Sequence, residues 1–172
     1  YPLTILLQYT TDTISVKAWK EITRKIPFNN LILYIEKYKK EQLFIWDWDY
    51  ISSSKHIPIN HKFLSRYSAK INWKLLSSNS ILSSFFQFSN VVFRDTREWQ
   101  NRTLEYLYAY KDQWDFKALS TINNITRNER IISEFEDKWD WHILSALSPL
   151  LTNSNKEKRL IEYDARRLNR FS

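Results

Sequence analysis

The chain of 172 residues contains no glycine, no cysteine and no methionine, and its 26 basic and 19 acidic groups leave a net charge of +7. Lack of cysteine excludes disulfides, thiolate metal sites and a cysteine nucleophile, and lack of glycine excludes every glycine-rich phosphate loop and removes the easiest residue for hairpin turns. With 43% hydrophobic and 16% aromatic residues the chain is too apolar for disorder, and helix packed on helix is the fold class that remains.

In chain order, Ile5/Leu6/Tyr9 is the first apolar set at i, i+1, i+4, the spacing of one helix face. A weak copy of a recurring phrase follows as Trp19-Lys20-Glu21-Ile22-Thr23. The full phrase is aromatic, Asp or Asn, aromatic, two variable residues, Leu or Ile, then Ser. It recurs as Trp46-Asp47-Trp48-Asp49-Tyr50-Ile51-Ser52, Ile71-Asn72-Trp73-Lys74-Leu75-Leu76-Ser77, Trp114-Asp115-Phe116-Lys117-Ala118-Leu119-Ser120 and Trp139-Asp140-Trp141-His142-Ile143-Leu144-Ser145. With Trp19, Trp48, Trp73, Phe116 and Trp141 as phase markers, the spacings are 29, 25, 43 and 25. The basic period is therefore 25, with four extra residues around Lys39–Glu41 and 18 within an insertion at about 79–103.

Each unit reads as two short helices. Asp47, Asn72, Asp115 and Asp140 suit N-caps of the first, with Ser15 as a substitute where the first unit has Ala18. The Ser or Thr that ends each phrase is expected to bond back to its helix. The second helix carries the apolar sets Tyr34/Ile35/Tyr38, Phe63/Leu64/Tyr67, Tyr106/Leu107/Tyr110 and Ile131/Ile132/Phe135. Its starts are predicted from Pro27, Pro58 and a capping box at Thr126–Glu129. A further capping box at Ser154–Glu157 opens a basic, polar helix over about 155–170 that suits a C-terminal cap. We thus expect one all-α domain over 1–172, an α-solenoid-like array of two-helix repeats. Because it opens in mid-unit and without an initiator Met, we expect it to be a fragment of a longer chain.

The W-D-W-x-x-L-S phrase followed by a short helix ending in an aromatic resembles tandem repeats of predicted proteins in large DNA viruses and some bacteria. Trp139–Ser145 is its clearest copy, and the match covers about Ile5 to Ser145. Phe116, Ile71-Asn72 and the insertion depart from it. The resemblance implies a helical repeat module within a longer chain, and it supplies neither a reaction nor a ligand.

Function reads as non-catalytic: a scaffold or protein–protein interaction module. The marker rings are expected in the inter-repeat core, since recurrence at fixed phase is what packing requires. The leading Trp46, Trp114 and Trp139 either cover the repeat junctions or face a partner. The insertion supplies Phe85, Phe86, Phe88, Phe93 and Trp99, as a protruding hydrophobic contact or as an extra helix buried in the stack. The alternative is nucleic-acid binding, through Lys17, Lys20, Arg24, Lys25, Lys37, Lys39 and Lys40 at one end or Arg159, Arg166, Arg167 and Arg170 at the other. A targeting arm for a catalytic domain outside this chain is a third reading. No apolar run approaches the roughly 20 residues of a membrane helix, so no membrane contact is expected. His56 and His61 stand five apart with His142 remote, so no metal and no cofactor is expected. Glu134, Glu136, Asp137 and Asp140 read as a solvated helical face.

Overall fold

A computed structural model of the chain describes residues 16–37, 46–86, 96–147, 158 and 160–165. The fold is all-α, with no strand among the described residues. The helices are α1 (Val16–Lys25), α2 (Phe28–Lys37), α3 (Trp48–Ser53), α4 (His61–Tyr67), α5 (Trp73–Ser77) and α6 (Ile81–Phe85). They continue with α7 (Thr96–Ala109), α8 (Phe116–Leu119), α9 (Asn123–Thr126), α10 (Glu129–Glu134) and α11 (Trp141–Leu147), and residues 160–165 are helical as well. The short helix of one phrase packs on that of a later one, α3 on α5 and α5 on α8; α7 packs on α10, and α9 on both α10 and α11.

Most of these helices are too short to be stable alone, so side chains must satisfy their ends. At the N-termini, Asp47, Asn72 and Asp115 accept from the backbone N–H groups of Tyr50, Leu75 and Ala118, and Asp140 accepts from that of Ile143, as expected. The later helices are capped differently from expectation. Asn60 accepts from Phe63 N–H to start α4, and Pro58 lies in the non-helical stretch before it. Asn128 accepts from Ile131 N–H to start α10, while Thr126 closes α9 and donates to the Asn123 carbonyl. An Asx side chain directly before the helix reaches the third N–H better than a threonine already held in the preceding turn.

The C-termini show the consequence of a glycine-free sequence. The left-handed residue that commonly ends a helix has a steric cost for anything but glycine, and the described C-caps have negative φ: −72° at Ser54, −51° at Ser68, −90° at Ser78 and −61° at Ser120. Indole and amide donors reach the terminal carbonyls instead. Trp73 Nε1 donates to Ser68 O at 2.9 Å and Trp141 Nε1 to Glu136 O at 2.9 Å. Trp114 Nε1 donates to Tyr106 O at 3.1 Å, and Trp139 Nε1 to Ile132 O at 2.9 Å. Asn79 Nδ2 serves both Ser52 O in the last turn of α3 and Ser54 O at its C-cap.

The core follows the phrase. Ile51, Leu76, Leu119 and Leu144 are fully buried, as are Ile35, Leu64, Leu107 and Ile131 from the helices that follow. Each such side chain contributes about 1.5–3 kcal/mol by leaving water. Phe28, Ile57, Leu82 and Ile125, nine residues after the markers Trp19, Trp48, Trp73 and Phe116, also pack in or against this core. The apolar character of all four positions is visible in the sequence. The described helices that follow the markers Trp19 and Trp48 are α1–α2 and α3–α4. After Trp73 and Phe116 a third short helix, α6 or α9, brings Leu82 or Ile125 into the core.

Candidate functional surfaces

The junctions between successive phrases are built from one hydrogen bond used repeatedly. The hydroxyl that ends a phrase accepts the backbone N–H of the Asp or Asn that opens the next. Thr23 Oγ1 accepts from Asp47 N at 3.2 Å, Ser52 Oγ from Asn72 N at 2.9 Å, Ser77 Oγ from Asp115 N at 3.0 Å and Ser120 Oγ from Asp140 N at 3.2 Å. Thr23 and Ser120 also donate to the carbonyls of Trp19 and Phe116 in their own helices. The expected bond back to the helix is therefore half of their role. Its other half, the link to the next phrase, connects residues 20 to 38 apart and sequence reasoning missed it.

Aromatic rings repeat the same connection. The marker packs edge-on to the leading aromatic of the next phrase: Trp19 to Trp46 at 6.0 Å, Trp73 to Trp114 at 4.8 Å, Phe116 to Trp139 at 5.0 Å. It also packs on the last aromatic of the following apolar set, Trp48 on Tyr67, Trp73 on Tyr110 and Phe116 on Phe135, all at 5.0 to 5.2 Å. Trp46, Trp114 and Trp139 are consequently buried, Trp139 to 1% exposure, and they face the junctions rather than solvent. As contact residues for a partner they are corrected: their rings and, for Trp114 and Trp139, their N–H groups are occupied inside the fold. Of the marker rings expected in the core, Trp19, Phe116 and Trp141 are buried, whereas Trp48 and Trp73 are half-buried.

Phe86 is corrected on the same ground. It is fully buried, 6.5 Å from the Trp114 ring and 5.0 Å from Phe85. Phe85 is half-buried between Tyr106 and the Arg102 guanidinium, which lies 5.3 Å from its centroid. The described start of the insertion thus packs into the core as α6, at the place that α9 takes after Phe116. Phe88 and Phe93 lie outside the described residues. Trp99 belongs to α7, and its side chain is outside the description.

Of the basic candidates, Lys17, Arg24, Lys25 and Lys37 are exposed and Lys20 is half-buried. Lys17, Lys20 and Arg24 share one face of α1 by their spacing. Arg24 is committed to Asp47, with Nε and Nη2 at 3.0 and 2.9 Å from Oδ2. Lys39, Lys40, Arg159, Arg166, Arg167 and Arg170 lie outside the described residues.

The later helices are cross-tied by polar groups. Glu36 of α2 accepts from Arg66 and, at 3.0 Å, from the Tyr67 hydroxyl of α4. Burial, reinforced by this carboxylate, pushes the Tyr67 phenol up to about 12. Tyr108 of α7 donates to Glu134 of α10, which raises its phenol, and burial raises that of Tyr110. His61 stacks on Tyr106 at 4.0 Å with Nε2 3.2 Å from Glu105. His142 Nε2 lies 3.1 Å from Asp164. His56 contacts Phe28, so the three histidines do not converge. Among the described residues no three His, Asp or Glu side chains gather as metal ligands would, and no helix is long and apolar enough to cross a membrane.

Compared with known proteins, the chain matches no family model, no curated protein and no solved structure.

Proposed function

We propose that the chain is a non-catalytic helical-repeat module, an α-solenoid-like array whose surface engages a protein partner. The observation that carries this reading is the junction bond from Ser or Thr to the next Asp or Asn N–H, repeated at four successive junctions with the same donor and acceptor positions. Units joined in one sense by one contact extend side by side, and such stacking produces long continuous surfaces rather than a single reactive pocket. The phase-marking aromatics serve the stack itself. Partner contact then falls to the outer residues of the later helices and to the insertion. The test is co-purification from the native source followed by reassembly from pure components. A stoichiometric protein complex whose affinity changes little with added salt is the expected result. Recovery of a nucleic acid and no protein partner, with affinity that falls steeply with salt, sinks it in favour of phosphate binding by the basic ends.

A further inference from the structure

A cleft of about 440 Å³ opens where α1 meets α2 and α3, lined by Arg24, Lys25, Phe28, Asn29, Tyr50 and His56 together with the connecting Ile26 and Pro27. The size is that of a small-ligand site. Its chemistry has two halves. One is aromatic: Phe28 lies 6.4 Å from Tyr50 and 6.0 Å from the His56 imidazole. The other is cationic. Asp47 is buried and takes up Arg24, and Glu21 lies 3.9 Å from the same guanidinium. Lys25 has no ion-pair partner among the described residues, so its charge faces the cleft uncompensated. We propose that this cleft binds one nucleotide unit, the base against the Phe28 and Tyr50 rings and the phosphate beside Lys25.

A nucleotide joins a flat aromatic ring to an anion within one small molecule, which matches both halves of the lining. An acidic peptide would use only the cations. The inference is independent of the protein-partner reading above, since it concerns the α1–α2–α3 end alone. The same chemistry is supplied by a free nucleotide or by one residue of a single strand.

Calorimetric titration of the full 172-residue chain with uridine monophosphate, uridine and a short oligothymidylate tests it. Uridine should bind at least about tenfold more weakly than its monophosphate, and Lys25→Glu and Phe28→Ala should each weaken nucleotide binding about tenfold, in the range that one base stack or phosphate contact supplies. Lys25 is exposed, so its replacement leaves the packing intact. Equal affinity for monophosphate and strand identifies the free nucleotide as the source, and a strand preference with the same losses identifies single-stranded nucleic acid. Absence of binding to both, or binding that Lys25→Glu leaves unchanged, overturns the proposal. So does an oligoglutamate peptide that binds as tightly as the nucleotide and ignores Phe28→Ala.

Discussion

Ser120 shows how much one small side chain decides. Its buried hydroxyl donates to Phe116 O at 2.7 Å and accepts from Asp140 N at 3.2 Å, so Ser120→Ala leaves the Asp140 N–H without this acceptor, while Phe116 O keeps the backbone N–H of residue 120. The expected loss is about 1–3 kcal/mol in urea unfolding. Ser145 holds the equivalent place in the last phrase but is half-buried, with its described bond to His142 O only, and Ser145→Ala should cost clearly less. Equal losses would refute the junction role. Tyr67 allows a test by pH. Its phenol is held up at about 12, against an ordinary value of about 10, so the folded chain keeps a proton that the unfolded chain releases. This contribution is whole below about pH 10 and is lost as pH rises through about 12. Thermal melts over that range should show the parent losing more stability than Tyr67→Phe; parallel curves would contradict it.

At the scale of the element, helix ends rather than helix interiors distinguish this chain. The first-helix caps were legible because Asp or Asn recurs one residue before each marker. The second-helix caps were not, since Asn60 and Asn128 stand at no repeated phase and Pro58 and Thr126 offered more familiar start signals. Asn128→Ala is expected to cost about 1 kcal/mol as a lost cap. Glu129→Ala, the partner in the rejected capping box, should stay within about 0.5 kcal/mol on chemical unfolding. The carbonyl ends were illegible altogether. A glycine-free sequence shows that ordinary C-caps are missing, but not that the indoles of Trp73, Trp114, Trp139 and Trp141 replace them. Trp139→Phe, which keeps a ring and removes the N–H, should therefore destabilise by about 1–3 kcal/mol.

For the whole molecule, the proposed array makes energetic coupling local. Ser52 and Ser120 close different junctions and share no partner. Their alanine variants should add within about 0.5 kcal/mol. Glu36→Ala and Tyr67→Phe remove two ends of one bond between α2 and α4, and their effects should fall short of the sum. A cycle measured by urea unfolding with the opposite pattern would argue for one globular core in place of stacked units. Charge follows the same neighbour logic. Asp49 receives the Asn72 amide at 2.7 Å, while Lys117 stands 4.0 Å from Asp140 in the same relation two junctions later. Opposite polarities at equivalent places favour the native order of units over a slipped one.

The sequence by itself determined the helical class, the phase of the buried rows and the first-helix caps, because periodicity and the absence of glycine constrain the local backbone directly. Tertiary structure alone decided that Trp46, Trp114, Trp139 and Phe86 are interior, that the serines reach across to the next phrase, and that α1, α2 and α3 enclose a cleft. Those outcomes depend on which carbonyls, hydroxyls and rings meet after distant segments pack. A spacing of 25 residues fixes which positions recur, but not whether each faces its neighbour or the solvent.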